Sequence, residues 1–386
     1  MAKDFNNTDL EAVLQPIEHA RGLPNAHYID ERVHDEERQA LWFSTWAGIG
    51  VPDFDIPENG DAKPIDFQGV PLFMMRGRDG VVRVFQNVCK HRGMKLISEP
   101  KKVEGVIRCP YHSWCYAHNG RLMSTPHVGG PGHNTHEAMD PETLGLIEVR
   151  SHVWLGVLYV NLSGDAPAFE DLHAELIERW KEYDQPVYHG GEDSTFQLVC
   201  NTNWKLAIEN YCESYHLPWV HPGLNSYSRL EDHYHIENPG KFSGQGTHVY
   251  RQIKDDDGSV FPDFQGLSEK WDTAGEYLTI TPNVMLGVQR DHVFAIILEP
   301  VGFGQTREHI HMFYAQPDVS ENLRKKNAEQ WKIVFVEDIG VVEGMQAGRY
   351  APGFDGGRFS PAMDGPTHLF HRWVAQNLLD YRNGQS

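Results

Sequence analysis

Cysteine is scarce in this chain: five residues, at 89, 109, 115, 200 and 212, among 386. An odd and sparse set argues against a disulfide framework and leaves the thiols for metal chemistry or for the core. Positive charge is also short, with 34 Lys and Arg against 54 Asp and Glu and a formal net charge of −20. That field repels phosphate backbones and anionic membrane surfaces, so neither nucleic acid nor membrane is expected as a partner. Long apolar runs are missing: the longest, 153–160 and 293–298, fall far short of the roughly 20 residues that cross a bilayer. The opening MAKDFNNTDLEAV has neither the apolar core of a secretory signal nor the Arg- and Ser-rich character of a transit peptide, and a cytoplasmic location is expected. Internal repeats and low-complexity tracts are absent too, which excludes a solenoid or a tail.

Histidine, by contrast, is plentiful at 22 residues, and 36 Gly and 23 Pro supply many turns. A helix is expected over 30–42. Short runs at 70–75, 81–87, 106–109, 114–117 and 153–162, divided by turns such as Arg78-Asp79-Gly80 and His118-Asn119-Gly120, predict an antiparallel β domain. Phe169, Leu172, Leu176, Ile177 and Trp180 recur at helical spacing and predict one amphipathic helix over 169–182. Strands are expected at 194–200, 247–253, 277–280, 284–288, 293–299 and 308–315, and a long helix at 319–347. The fold class is therefore α+β: an N-terminal segment (1–41) packing with the last domain, an all-β domain (42–162), and an antiparallel sheet covered by helices (163–386).

Within the β region, Cys89-x-His91 is followed after seventeen residues by Cys109-x-x-His112. Zinc and iron–sulfur centres both accept such ligands. Zinc fingers, however, bring their two cysteines into one knuckle and their two histidines into another, whereas here each loop offers one of each. This split suits a two-iron Rieske cluster, with both cysteines on one iron and both histidines on the other. Gly93, Pro110, Tyr111 and Trp114 fit two tight loops shielding it. The Lys101-Lys102 pair reads as a solvated turn.

A second constellation lies in NWKLAIENYCESYHLPWVHPGL (203–224). Glu213 and His216, three apart, share a face if helical; Pro218 would end or bend that helix, and His221 follows. Two imidazoles and a carboxylate form the facial triad of mononuclear non-heme iron, which leaves positions open for oxygen. The late helix offers Glu337, Asp338 and Glu343 as the carboxylate. His309 and His311 read as structural or pocket-lining residues on one strand face, and Cys115, Cys200 and Cys212 as buried thiols.

With both constellations in this order, the chain resembles the large (alpha) subunit of Rieske non-heme iron oxygenases over nearly its whole length. Lys90 stands where that family often has Pro, which leaves the ligands untouched. The resemblance implies a catalytic domain of helix-grip type. By it, Cys89, His91, Cys109 and His112 hold one 2Fe–2S cluster, while His216, His221 and Asp338 hold one mononuclear Fe(II) per subunit. It also gives Glu213 the role of an acid linking the two sites between neighbours in a homotrimer, with electrons passing from His112 through Glu213 of the neighbouring subunit to His216 on its iron. NADH or NADPH would supply electrons through a separate flavin and iron–sulfur reductase. The segment from Glu337-Asp338 to Glu343 and Gln346 resembles the branch that oxidises quaternary ammonium compounds such as choline, glycine betaine, carnitine and stachydrine with O2. Hydroxylation of an N-methyl group there leads to demethylation, and an aromatic cage is expected for the cation. Two alternatives stand beside this reading: a Rieske oxygenase of an aromatic or carboxylated substrate, and a Rieske electron-transfer protein without oxygenase activity.

Overall fold

The structure is a computed structural model that describes residues 7–354 and 356–384. The chain forms two compact units, one from residues 49–164 and the other from the flanking chain on both sides. No helix among the described residues is long and apolar enough to cross a membrane.

In the smaller unit, strands Val157–Asn161, Glu148–Trp154, Val82–Gln86, Val70–Arg76, Asp61–Phe67 and Lys101–Lys102 lie side by side in that order. A second, three-stranded sheet is built from Ile107–Arg108, Cys115–Tyr116 and Leu122–Ser124. Phe73, Phe85, Ile97, Ile107, Trp114 and Tyr116 share one core with Cys89 and Cys109, so both thiols are anchored in packed apolar side chains. The apolar run at 153–162, expected as one strand, is two. Leu155 and Gly156 both have positive φ, 45° and 78°, and turn the chain into a hairpin that pairs Trp154 with Val157. Lys101 and Lys102 form an exposed edge strand rather than a turn, and Lys102 pairs with Glu58.

The larger unit is organised on an eight-stranded antiparallel sheet. Its order is Tyr188–His189, Thr306–Tyr314, His292–Pro300, Val284–Val288, Gly275–Ile280, Phe242–Thr247 and His233–Asn238, with Thr195–Cys200 also pairing to Thr306–Tyr314. Val284–Val288 is buried throughout and its neighbour His292–Pro300 nearly so, which is why these segments read as continuous apolar runs. Helix Glu321–Gly348 packs on Thr195–Cys200 and on helix Trp204–Tyr211, while helix Gly365–Arg382, which the sequence reading missed, covers Phe242–Thr247 and His233–Asn238.

Two further expectations are corrected. The helix over 169–182 is broken into Phe169–Leu172, Ala174–Arg179 and a 3₁₀ turn at Lys181–Tyr183. The break falls at His173, which leaves helical geometry and buries its ring against Phe169, 4.4 Å between centroids. The strand expected at 247–253 ends at Thr247, where its true extent, Phe242–Thr247, begins five residues earlier. Gly246 is required inside that strand because the Tyr234 ring lies across it, 2.4 Å from where a Cβ would stand. Beyond Thr247 the apolar residues face a cavity rather than a sheet.

A buried ion pair ties the N-terminal segment to helix Trp204–Tyr211. Lys205 Nζ lies 2.7 Å from Glu37 Oε2, with the two side chains 0% and 1% exposed. Burial pushes the Glu37 carboxyl up, but Lys205 and His27 outweigh it and hold it below its ordinary value. Lys205→Met strands this anion, so urea unfolding of the variant should show a loss of about 3–5 kcal/mol; a loss below about 1 kcal/mol would show that the pair does not hold the segment in place.

Candidate metal centres

The two Cys/His loops are built alike. The N–H of Gly93 donates to the Cys89 carbonyl at 3.0 Å, and the N–H of Ser113 to the Cys109 carbonyl at 3.0 Å. Each returning residue lies four positions after its cysteine in left-handed conformation, φ 73° for Gly93 and 57° for Ser113. Glycine accepts this freely, whereas serine is held there by the loop. Cys89 and Cys109 are buried, 2% and 1% exposed, while His91 is exposed and His112 half-buried, so thiols face the core and imidazoles the surface. The two imidazoles stand 4.6 Å apart between centroids, His91 stacks on Trp114 at 4.8 Å, and Tyr111 covers His112 at 3.7 Å.

This donor set fits a Rieske cluster. His112 Nδ1 is buried without a hydrogen-bond partner, as a nitrogen meant for a metal would be. Burial pushes the Cys89 thiol up, with Tyr116 opposing, and pushes the His91 imidazole down. Protons are therefore hard to remove from the thiol and hard to add to the imidazole, until a metal takes the thiol proton's place. The Tyr116 hydroxyl lies 3.2 Å from Cys89 Sγ and accepts from the Lys90 N–H at 3.1 Å, which leaves its proton for the sulfur, a bond that tunes a cluster's potential.

In the larger unit, His216, His221 and Asp338 bring one ligand atom each within 4.8 Å of one another. His216 Nε2 and His221 Nε2 are 3.2 Å apart, and Asp338 Oδ1 lies 3.0 Å from the latter and 3.6 Å from the former. The far nitrogens are fixed by carboxylates: His216 Nδ1 meets Glu213 Oε1 at 2.6 Å, and His221 Nδ1 meets Glu337 Oε2 at 2.8 Å. An Nδ1–H donating to each carboxylate turns both Nε2 lone pairs inward, toward an Asp338 Oδ1 that no hydrogen bond satisfies. Three electron-pair donors aimed at one point repel one another unless a cation lies among them, and this set fits ferrous iron. Burial alone would lower the His221 pKa, yet Asp338 and Glu337 outweigh it and raise it.

The sequence grouped these residues, but the backbone that holds them differs from expectation. Helix Trp204–Tyr211 ends before Glu213, and Pro218, expected to end a helix, sits in the first turn of a new one, Leu217–Val220. Its missing N–H costs nothing there. Glu213 and His216 meet across a turn instead, in which Glu213 also accepts from the Tyr215 N–H. Of the three late acids, Asp338 joins the imidazoles, Glu337 holds His221, and Glu343 accepts from the backbone and side-chain N–H groups of Asn201. The Glu337 contact went unread; the adjacent Glu-Asp pair was its signal. His309 bonds Glu299 at 2.7 Å and His311 contacts His189 at 3.1 Å, and neither lines the cavity beside the triad. All five thiols are unpaired and buried.

That cavity is lined by His216, His221 and Asp338 and by aromatic residues of the sheet and of helix Glu321–Gly348, the helix that also carries Asp338. Trp331 packs against Phe294 at 4.5 Å, Phe335 at 5.5 Å and Tyr277 at 6.0 Å, and all four line the space. Behind Asp338 a smaller cavity holds Glu308, whose carboxyl is pushed up to about 7 by burial and by the Asp338 charge.

Residues 177–380 match the family described as the ring hydroxylating alpha subunit (catalytic domain), and residues 51–137 match the Rieske [2Fe-2S] domain. The chain is 25% identical over 339 residues to the carnitine monooxygenase oxygenase subunit of Acinetobacter pittii, covering 86% of each. It is 31% identical over 213 residues to the glycine betaine monooxygenase oxygenase subunit of Pseudomonas aeruginosa, covering 55% of this chain and 47% of that one. The crystal structure of a quaternary ammonium Rieske monooxygenase with L-carnitine shares the fold, with a TM-score of 0.75, 23% identity, and 95% and 98% of the two chains covered.

Removing a carboxylate that orients a ligating imidazole weakens metal retention about 10- to 100-fold. Glu337→Gln should therefore lower mononuclear iron on dialysis, from three irons per chain toward two, with acid-labile sulfide and the visible spectrum of the cluster unchanged. Full iron retention would remove Glu337 from the site.

Proposed function

Because the chain belongs to the ring hydroxylating alpha subunit family and carries a Rieske [2Fe-2S] domain, we propose that it is the oxygenase subunit of a multicomponent monooxygenase acting on a small quaternary ammonium compound. In this reading Cys89, His91, Cys109 and His112 hold the cluster, and His216, His221 and Asp338 hold the iron. When bound, the cluster supplies single electrons and the iron supplies oxygen chemistry. A separate reductase, fed by NADH or NADPH, would deliver the electrons. Oxidation of an N-methyl group consumes O2, two electrons and two protons, releases water, and leaves a carbinolamine that loses formaldehyde.

The observation that carries the reading is the aromatic group that lines one cavity together with the His216, His221 and Asp338 triad. Rings of Tyr277, Phe294, Trp331 and Phe335 offer π faces to a cation that has no hydrogen to donate, and they exclude water from the oxidised carbon. Glu213 keeps His216 in the tautomer that presents Nε2 inward. The assembly is proposed to be a homotrimer, in which Glu213 also links the His216 iron to the cluster of a neighbouring subunit.

Two measurements test this. With reductase and NADH, oxygen uptake screened over glycine betaine, choline, carnitine, proline betaine and benzoate-type acids should yield formaldehyde equal to oxygen consumed for an ammonium compound; coupled product formation from a benzoate-type acid alone would overturn the assignment. Glu213→Gln, reconstituted with Fe(II) and compared with wild type at equal iron content, should slow single-turnover oxidation of the reduced cluster at least tenfold, whereas normal turnover would remove Glu213 from the electron path.

A further inference from the structure

Two of the rings that line the cavity are tied behind it to one acid. Strands Val284–Val288 and His292–Pro300 are joined by a tight turn, in which the Gln289 N–H donates to the His292 carbonyl at 3.0 Å and Val288 pairs with Val293. Turn residues ordinarily lie in water. Asp291, in this turn, is fully buried, because segment 248–274 folds over it: the Phe264 N–H donates to the Arg290 carbonyl at 2.8 Å, and Arg290 Nε donates to Asp263 at 2.9 Å.

A buried acid needs donors, and this one takes both from side chains that line the cavity. The Tyr250 hydroxyl donates to Asp291 Oδ1 at 2.8 Å, and His292 Nδ1 lies 2.8 Å from the same oxygen. The direction of the second bond follows from the far side of the imidazole. Trp331 Nε1, which can only donate, lies 2.8 Å from His292 Nε2, so that nitrogen offers its lone pair and Nδ1 carries the proton toward Asp291. Burial and the Asp291 charge push the Tyr250 hydroxyl up, which keeps its proton in the bond. Asp291 Oδ2 has no hydrogen-bond partner among the described residues, so the bonds of this side chain all lead to the cavity lining. Tyr250 belongs to segment 248–274 and Trp331 to helix Glu321–Gly348. One acid therefore holds rings from two separate parts of the chain, whereas their neighbours Phe294 and Phe335 have no polar atom by which to be held.

We infer that Asp291 is a positioning residue for the oxygenation: acting directly on Tyr250 and through His292 on Trp331, it fixes two rings against which the substrate rests. Asp291 itself does not line the cavity. The inference rests on the reading of that cavity as the substrate site. Rings released from their hydrogen bonds would still admit a substrate, but at lower affinity and away from the position at which oxidation is productive.

Asp291→Leu, Asp291→Asn and His292→Phe, each iron-loaded, are compared with wild type on whichever compound of the oxygen-uptake screen is oxidised. Ultraviolet resonance Raman follows the indole N–H hydrogen-bond band of Trp331, isolated as the difference from Trp331→Phe. Asp291→Leu and His292→Phe should shift that band, raise KM at least fivefold and divert at least half of the oxygen consumed to hydrogen peroxide, at unchanged iron content and cluster spectrum. Asp291→Asn, whose Oδ1 can still accept both bonds, should recover most of the KM and the coupling. Tyr250→Phe cuts the other arm and should raise KM at least threefold, which with His292→Phe keeps the test open should Asp291→Leu fail to fold. A merely structural role would lower kcat per chain and leave KM and coupling unmoved. A wild-type band in His292→Phe, a shifted band with wild-type KM and coupling, or Asp291→Asn as impaired as Asp291→Leu would each overturn the inference. Should the oxidised compound be a benzoate-type acid, the same readouts decide the role of Asp291, and the quaternary ammonium reading alone falls.

Discussion

Mutual repulsion among His216 Nε2, His221 Nε2 and Asp338 Oδ1 is the constraint that the larger unit is arranged to hold. Left free, three lone pairs within 4.8 Å would turn apart. They are kept together because each imidazole is pinned from behind, His216 by Glu213 and His221 by Glu337, and because Asp338 projects from a helix of 28 residues packed on the sheet. The turn between Tyr211 and Leu217, with the short helix Leu217–Val220 between the two histidines, brings His216 Nε2 and His221 Nε2 within 3.2 Å of each other. Trp331 and Phe335, on the same helix as Asp338, line the cavity that the triad opens into.

The smaller unit solves a different problem. A redox centre must be shielded from water and still reachable by electrons. The two loops do this by direction: cysteines point into the apolar core among Phe73, Phe85 and Trp114, and histidines point to the surface. The Tyr116 hydroxyl closes the inner side against Cys89. One wall is thus dry and the other open.

Much of this was legible in the sequence where chemistry and spacing coincide. Cys89-x-His91 with Cys109-x-x-His112, and Glu213-x-x-His216 with His221, name their residues outright, and the buried strands Val284–Val288 and His292–Pro300 announce themselves by apolar content. What was not legible depended on contacts between distant segments. The strand Phe242–Thr247 is written with two glycines because the Tyr277 carbonyl lies against Gly244 and the Tyr234 ring against Gly246, and glycine reads as a turn. The run 153–162 hides a hairpin because Leu155 adopts a conformation its side chain disfavours. His173 interrupts an otherwise regular helical pattern to fill space beside Phe169. The partnership of Glu337 with His221 appears only when helix Glu321–Gly348 is placed beside the distant segment that carries His221.

One helix carries both Trp331 and Asp338. They stand seven positions apart, close to two full turns, so the side chains share a face about 10 Å apart along the axis. The aromatic wall and the carboxylate of the metal triad are therefore marks on one rigid rule. The distance between the Trp331 ring and the Asp338 carboxylate is set by backbone pitch rather than by loop packing, and a one-residue insertion between them would swing one mark about 100° away from the other. The placing of ring against carboxylate in this cavity is in this sense a property of helix register.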